Sequence, residues 1–72
     1  MSLIKYVERI NRIDSLIHLR ATGTPEQFAG RLDISRSTLF GYLQEMRILG
    51  ADIKYSHELK SYYYADNRRI RL

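Results

Sequence analysis

Seventy-two residues hold a single domain, near the lower size at which a core without cross-links supports itself. Twelve Lys and Arg against eight Asp and Glu leave a net charge of +4, a balance that favours a polyanionic partner such as nucleic acid. With no cysteine, disulfides and Cys-ligated zinc are excluded, and the two histidines, His18 and His57, stand apart without metal-ligand spacing.

Residues 3–20 read as one long helix. At about 100° per residue, Leu3, Tyr6, Val7, Ile10, Ile13, Leu16 and Ile17 share one face, and Lys5, Glu8, Arg12 and His18 take the opposite side. Ser2 is placed to cap the start and Ala21-Thr22-Gly23 to end it, with Gly23 free to adopt positive φ. Ile4 and Leu19 fall off the stripe. Thr24-Pro25-Glu26-Gln27 is a capping-box start for a helix over 25–32 that buries Phe28, Ala29 and Leu32. Asp33-Ile34 forms a tight turn, since Asp tolerates left-handed backbone, and Ser35 caps a helix over 36–49. Its inner face carries Leu39, Tyr42, Leu43, Met46 and Leu49, and Gly50 ends it.

From Ala51 the period changes to that of strands. Asp52-Ile53-Lys54-Tyr55 alternates polar and apolar, and Ser61-Tyr62-Tyr63-Tyr64 is β-prone, so a hairpin is expected over 52–65. Tyr63 is expected to face inward and its neighbours outward. In the tail, Arg68, Arg69 and Arg71 form either a phosphate-binding arm or a frayed basic end.

The predicted architecture is mainly α with a small β-hairpin (α+β): three helices plus a wing, as one domain over 1–72. A short helix, a tight turn and a longer helix make a helix-turn-helix, whose second helix enters the DNA major groove. A generic three-helix miniature with similar apolar spacing is the plainer reading.

The run Phe28-Ala29-Gly30-Arg31-Leu32-Asp33-Ile34-Ser35-Arg36-Ser37-Thr38-Leu39-Phe40, continuing through Leu43 to Met46-Arg47-Ile48-Leu49-Gly50-Ala51, resembles a known family. It is similar to the amino-terminal winged helix-turn-helix of DeoR-like and WYL-domain bacterial transcriptional regulators. The likeness spans residues 9–65, with Asp52-Ile53 and Ser61-Tyr62-Tyr63-Tyr64 in the places of the wing. It implies a winged-helix fold and binding to double-stranded DNA, usually in an oligomer. Ligand sensing does not carry over, because the effector domain of the longer regulators has no counterpart in this sequence. Two positions most often basic in that family hold Ser37 and Gly41, and a usually acidic one holds Tyr42. Each absent arginine removes about 1–3 kcal/mol of base discrimination if it made a bidentate contact to guanine.

The candidate DNA contacts are Arg36, Ser37, Thr38, Phe40, Gln44 and Arg47 on the recognition helix, with Lys54 and Lys60 on the wing. Arg36 meets phosphate or a base edge, and Ser37 and Thr38 donate hydroxyls to phosphate. Thr38 serves equally as a local helix-end hydrogen bonder. Gln44 has the chemistry for adenine, and Phe40 that for a thymine methyl; the plainer readings are a solvated Gln and a ring packed on the wing or on another subunit. Lys54, His57 and Lys60 suit a wing lying along phosphates, or an ordinary solvated turn.

No nucleophile, paired-carboxylate site or Gly-rich phosphate loop is legible, and His18, which shares its helix with Asp14, reads as a solvent-exposed histidine, so no enzyme activity and no cofactor or small-molecule ligand are expected. No apolar run reaches the roughly 18 residues of a membrane span, and Met1-Ser2-Leu3-Ile4-Lys5 lacks a signal-peptide pattern, which makes the cytoplasm the expected location. The function expected is that of a small transcriptional regulator or accessory factor on double-stranded DNA. Its rivals are a winged helix used for protein–protein interaction and a tyrosine platform for single strands. The extension of the first helix, with Leu3, Ile4, Tyr6 and Val7, predicts a homodimer through that helix.

Overall fold

The computed structural model describes residues 2–72. Its elements in chain order are helices α1 (Leu3–His18), α2 (Pro25–Leu32) and α3 (Arg36–Ile48), then strands β1 (Ile53–Ser56) and β2 (Ser61–Tyr64). The protein is α+β, three helices and a two-stranded antiparallel hairpin.

Helix α1 is anchored by its middle and not by its first turn. Ile10, Ile13 and Ile17 are buried, whereas Leu3, expected on the same stripe, is 78% exposed. Burying an isoleucine is worth about 1.5–3 kcal/mol, so the three set how α1 sits on the rest. The Ser2 hydroxyl makes no cap; its backbone carbonyl accepts from the Tyr6 N–H at 3.1 Å instead. The helix ends at His18, two residues before the expected limit. Arg20, at φ 55°, takes the left-handed position that closes the helix, and Gly23, at φ 73°, is left-handed as expected in the loop that follows. The Arg20 N–H donates to Ile17 O and the Ala21 N–H to Leu16 O, each at 3.0 Å, closing a Schellman end.

The α2 start matches its sequence signal. Gln27 N–H donates to Thr24 Oγ1 at 3.2 Å, and Thr24 N–H donates back to Gln27 Oε1 at 2.9 Å. Asp33 stands at φ 57°, ψ 44°, as the turn requires. Ser35 caps α3, its hydroxyl accepting from the Thr38 N–H at 3.1 Å. Gly50, at φ 111°, closes α3 with the Ala51 N–H on Met46 O. Leu49, expected inside, is the residue after the last helical turn and is exposed.

Tyr55 pairs with Tyr62 and Ile53 with Tyr64, so these four share the inner face of the hairpin. The expected phase is therefore reversed: Tyr62 is buried, its ring tilted against Phe28 at 5.8 Å between centroids, and Tyr63 lies on the outer face opposite Lys54. The Arg20 guanidinium covers the Tyr63 ring at 5.4 Å. Thr22 joins the α1–α2 loop to β2: its N–H donates to Ser61 Oγ at 3.1 Å, and the Tyr62 N–H donates to Thr22 Oγ1 at 2.9 Å.

The tail is neither an arm nor frayed. It returns across α1, where Ile70 packs on the core, and Asn11 exchanges two hydrogen bonds with the Leu72 backbone. Arg69 pairs with Asp14, Nη2 to Oδ2 at 2.6 Å and Nε to Oδ1 at 3.2 Å. Asp14 is fully buried, and His18 is exposed as expected.

Candidate nucleic-acid interface

Helix α3 turns Leu39, Leu43 and Met46 into the core, which leaves Arg36, Ser37, Phe40, Gly41 and Gln44 outward. One flank meets α1, through Tyr6 Oη donating to Glu45 Oε2 at 3.0 Å and Arg9 Nη1 to Tyr42 Oη at 3.5 Å. The other meets the hairpin through Arg47.

Of the expected contacts, Arg36, Ser37, Phe40 and Gln44 lie together on the exposed ridge. Arg36 pairs with Glu26 at 3.4 Å, but both side chains are more than half exposed, so the pair holds the guanidinium weakly. Phe40 is 46% exposed, without the burial that would give its ring a core role. Gly41 leaves a notch between Phe40 and the α1 flank: a Cβ there meets nothing within 4 Å.

Thr38 is exposed and bonds locally to the cap, its N–H on Ser35 Oγ and its Oγ1 accepting from Ser35 at 2.9 Å. Arg47 lies off the ridge. Its Nε and Nη2 both donate to Ile53 O, at 3.1 and 2.9 Å, which brackets α3 to β1. The reason is tertiary: β1 enters beside the last turn of α3 and presents a carbonyl that needs a donor. Lys54 is exposed on the outer hairpin face, and Lys60, at φ 50°, is exposed at the turn into β2 beside His57 and Glu58.

The three hairpin tyrosines do not form a stacking platform, since Tyr62 is buried and Tyr64 Oη donates inward to Asp14 Oδ1 at 2.8 Å. Burial, and then this bond to a carboxylate, push the Tyr64 phenol well above its ordinary pKa. Burial raises Tyr62 as well, and the bond to Glu45 raises Tyr6. These phenols stay neutral donors at neutral pH.

Sequence reasoning passed over Asp14 and Thr22. Asp14 stands at i+4 from Ile10 and i−3 from Ile17, so the same periodicity that places the isoleucines inside places it there too. Thr22 carried no comparable signal, because its partner Ser61 is distant in the chain.

Among the described residues no group of three or more His, Cys, Asp or Glu gathers as a metal site, and no helix is long and apolar enough to cross a membrane. The chain matches no family model, no curated protein and no solved structure.

Proposed function

We propose that the protein is a winged helix-turn-helix of the DeoR-like and WYL-regulator kind that binds double-stranded DNA, acting as a small bacterial transcriptional regulator in the cytoplasm. On this reading α3 lies in the major groove and the hairpin serves as the wing. The observation that carries it is the α3 ridge: Arg36, Ser37, Phe40 and Gln44 are exposed together, behind a capped α2, a left-handed Asp33 and a Ser35 cap. Ser37 and the N-terminal turn of α3 supply donors for phosphate. Gln44 and Phe40 are the base-reading side chains, with the chemistry for adenine and for a thymine methyl. Lys54 and Lys60 add affinity without sequence preference. Thr38, exposed beside Ser37, adds a second hydroxyl for phosphate, and Arg47 braces α3 against β1 through Ile53 O. The reading assigns no catalytic step.

Titration of a random-sequence duplex at several salt concentrations tests it. Binding should weaken with a log–log slope of about −3 or steeper, as expected for Arg36, Lys54 and Lys60 on phosphates. Phe40→Ala and Gln44→Ala should alter the preference among duplexes selected from a random pool, and Lys60→Ala should weaken all of them alike. Absence of salt-sensitive binding sinks the proposal.

A protein-interaction module is the second reading. It is favoured by exposed apolar side chains, Leu3 and Ile4 in the first turn of α1 and Ile48 and Leu49 at the end of α3, the last two lining a hollow with Tyr6 of α1.

A further inference from the structure

We propose that the flank of α1 carrying Lys5, Arg9 and Arg12 is a second phosphate-binding surface, which grips the backbone of the duplex whose major groove receives α3; this rests on the DNA-binding reading above. The three cations recur at helical spacing on one flank and span about 10 Å of helix axis. With Glu8 and Leu32 they line a shallow concavity where α1 crosses the end of α2. Leu32 immediately precedes the turn that leads into α3, so the concavity lies beside the entry to the recognition helix.

Among the described residues, Lys5 and Arg12 enter no side-chain hydrogen bond, ion pair or ring contact, and Arg9 makes one hydrogen bond, whereas most other arginines are engaged by a neighbour. Arg20 covers Tyr63, Arg31 donates to Ala21 O, Arg47 to Ile53 O, and Arg69 to Asp14. Among the described residues the ion pairs join Arg36 to Glu26 and Arg69 and Arg71 to Asp14, and none includes Lys5, Arg9 or Arg12. Glu8 is the one carboxylate lining the concavity, and it is paired with none of the three. Arg9 reaches Tyr42 Oη through Nη1 alone, which steers the guanidinium toward α3 and leaves its other donors free.

Placement and chemistry select phosphate. Helix α3 has the hairpin on one flank, through Arg47 and Ile53, and α1 on the other, through Tyr6 and Glu45. A helix in a major groove about 12 Å wide faces the phosphates of both strands. Lys54 and Lys60 serve one strand, and the α1 flank serves the other. Arginine forks match the paired oxygens of a phosphodiester. The open concavity, walled by long charged side chains, suits a polymer edge better than an enclosed small molecule.

Anisotropy of a labelled random duplex, read across salt concentrations with the full chain, tests the assignment. Lys5→Gln/Arg12→Gln should bind about 10- to 100-fold weaker near ~0.1 M salt, with a slope shallower by about 2. Glutamine keeps nearly the same helix propensity, so the far-UV circular dichroism and melting midpoint should not change. Glu8→Gln should bind several-fold tighter, a gain that no loss of fold produces. Wild type that fails to bind any duplex overturns the DNA-binding reading and this inference with it. Wild type that binds, with a double variant equal to it in affinity and slope, overturns the α1 surface alone. A polyglutamate peptide held through Lys5 and Arg12, with duplex indifferent to their loss, overturns it in favour of an acidic protein segment.

Discussion

Asp14 concentrates more of the fold than any other side chain. Its carboxylate takes Arg69 on both oxygens and the Tyr64 hydroxyl on one, and thereby ties α1, β2 and the tail together. The Arg69 guanidinium stays charged, its pKa raised first by this hydrogen bond. A buried pair of this kind is a poor source of net stability, yet breaking it strands a charge. Arg69→Gln, which leaves the buried Asp14 carboxylate without this cation, should therefore lower unfolding stability by about 3 kcal/mol in urea denaturation. Arg71, whose Nε is 3.7 Å from Asp14 on an exposed side chain, should give less than about 1 kcal/mol when changed to Ala. Equal small losses from both changes would show that the tail is held by other contacts.

At the scale of elements, all three helices end on a residue with positive φ, namely Arg20, Asp33 and Gly50. Two of the three were legible, because Asp and Gly tolerate that backbone and Arg does not advertise it. The hairpin was legible as strands, but its phase was not. Three consecutive tyrosines are equally apolar on both faces, so only the pairing with Ile53 and Tyr55 decides that Tyr62 and Tyr64 turn inward. Gly41 is the weak point of α3. Its Cβ position is open, so Gly41→Ala should stabilise the protein by about 1 kcal/mol, which raises the melting temperature by about 4–8 °C for a domain of this size. A midpoint that does not rise would mean that the α3 surface is not open there.

Across the whole molecule, the first turns of α1 carry both exposed apolar side chains, Leu3 and Ile4, and the first of the α1 cations, Lys5. Tyr6 packs against Tyr42 at 5.9 Å and Val7 is half-buried, so two of the four side chains expected to need a partner find cover within their own chain. Leu3 and Ile4 do not, and Ile48, 74% exposed, and Leu49 enlarge the uncovered area. The proposed homodimer would bury these four residues against their two-fold copies and set two α3 helices for adjacent half-sites. Sedimentation at micromolar concentration should give a dimer, and Leu3→Gln/Ile48→Gln a monomer. A wild-type monomer at that concentration refutes the pairing.

Local chemistry determined by itself what neighbours in sequence can settle. The helix periodicity, the Thr24–Gln27 capping box, the Ser35 cap and the turn at Asp33 are decided within a few residues, and they were readable without a structure. So was the outward ridge of α3, because a helix that buries Leu39, Leu43 and Met46 must expose Arg36, Phe40 and Gln44. The tertiary structure decided which charged and polar groups are occupied. Arg47 turns to Ile53, Arg69 to Asp14 and Thr22 to Ser61, whereas Lys5 and Arg12 meet no polar partner among the described residues. Those outcomes depend on partners brought close only by packing: a cation next to an unpaired carbonyl or buried carboxylate gains more there than in water, and composition cannot show which cations meet one.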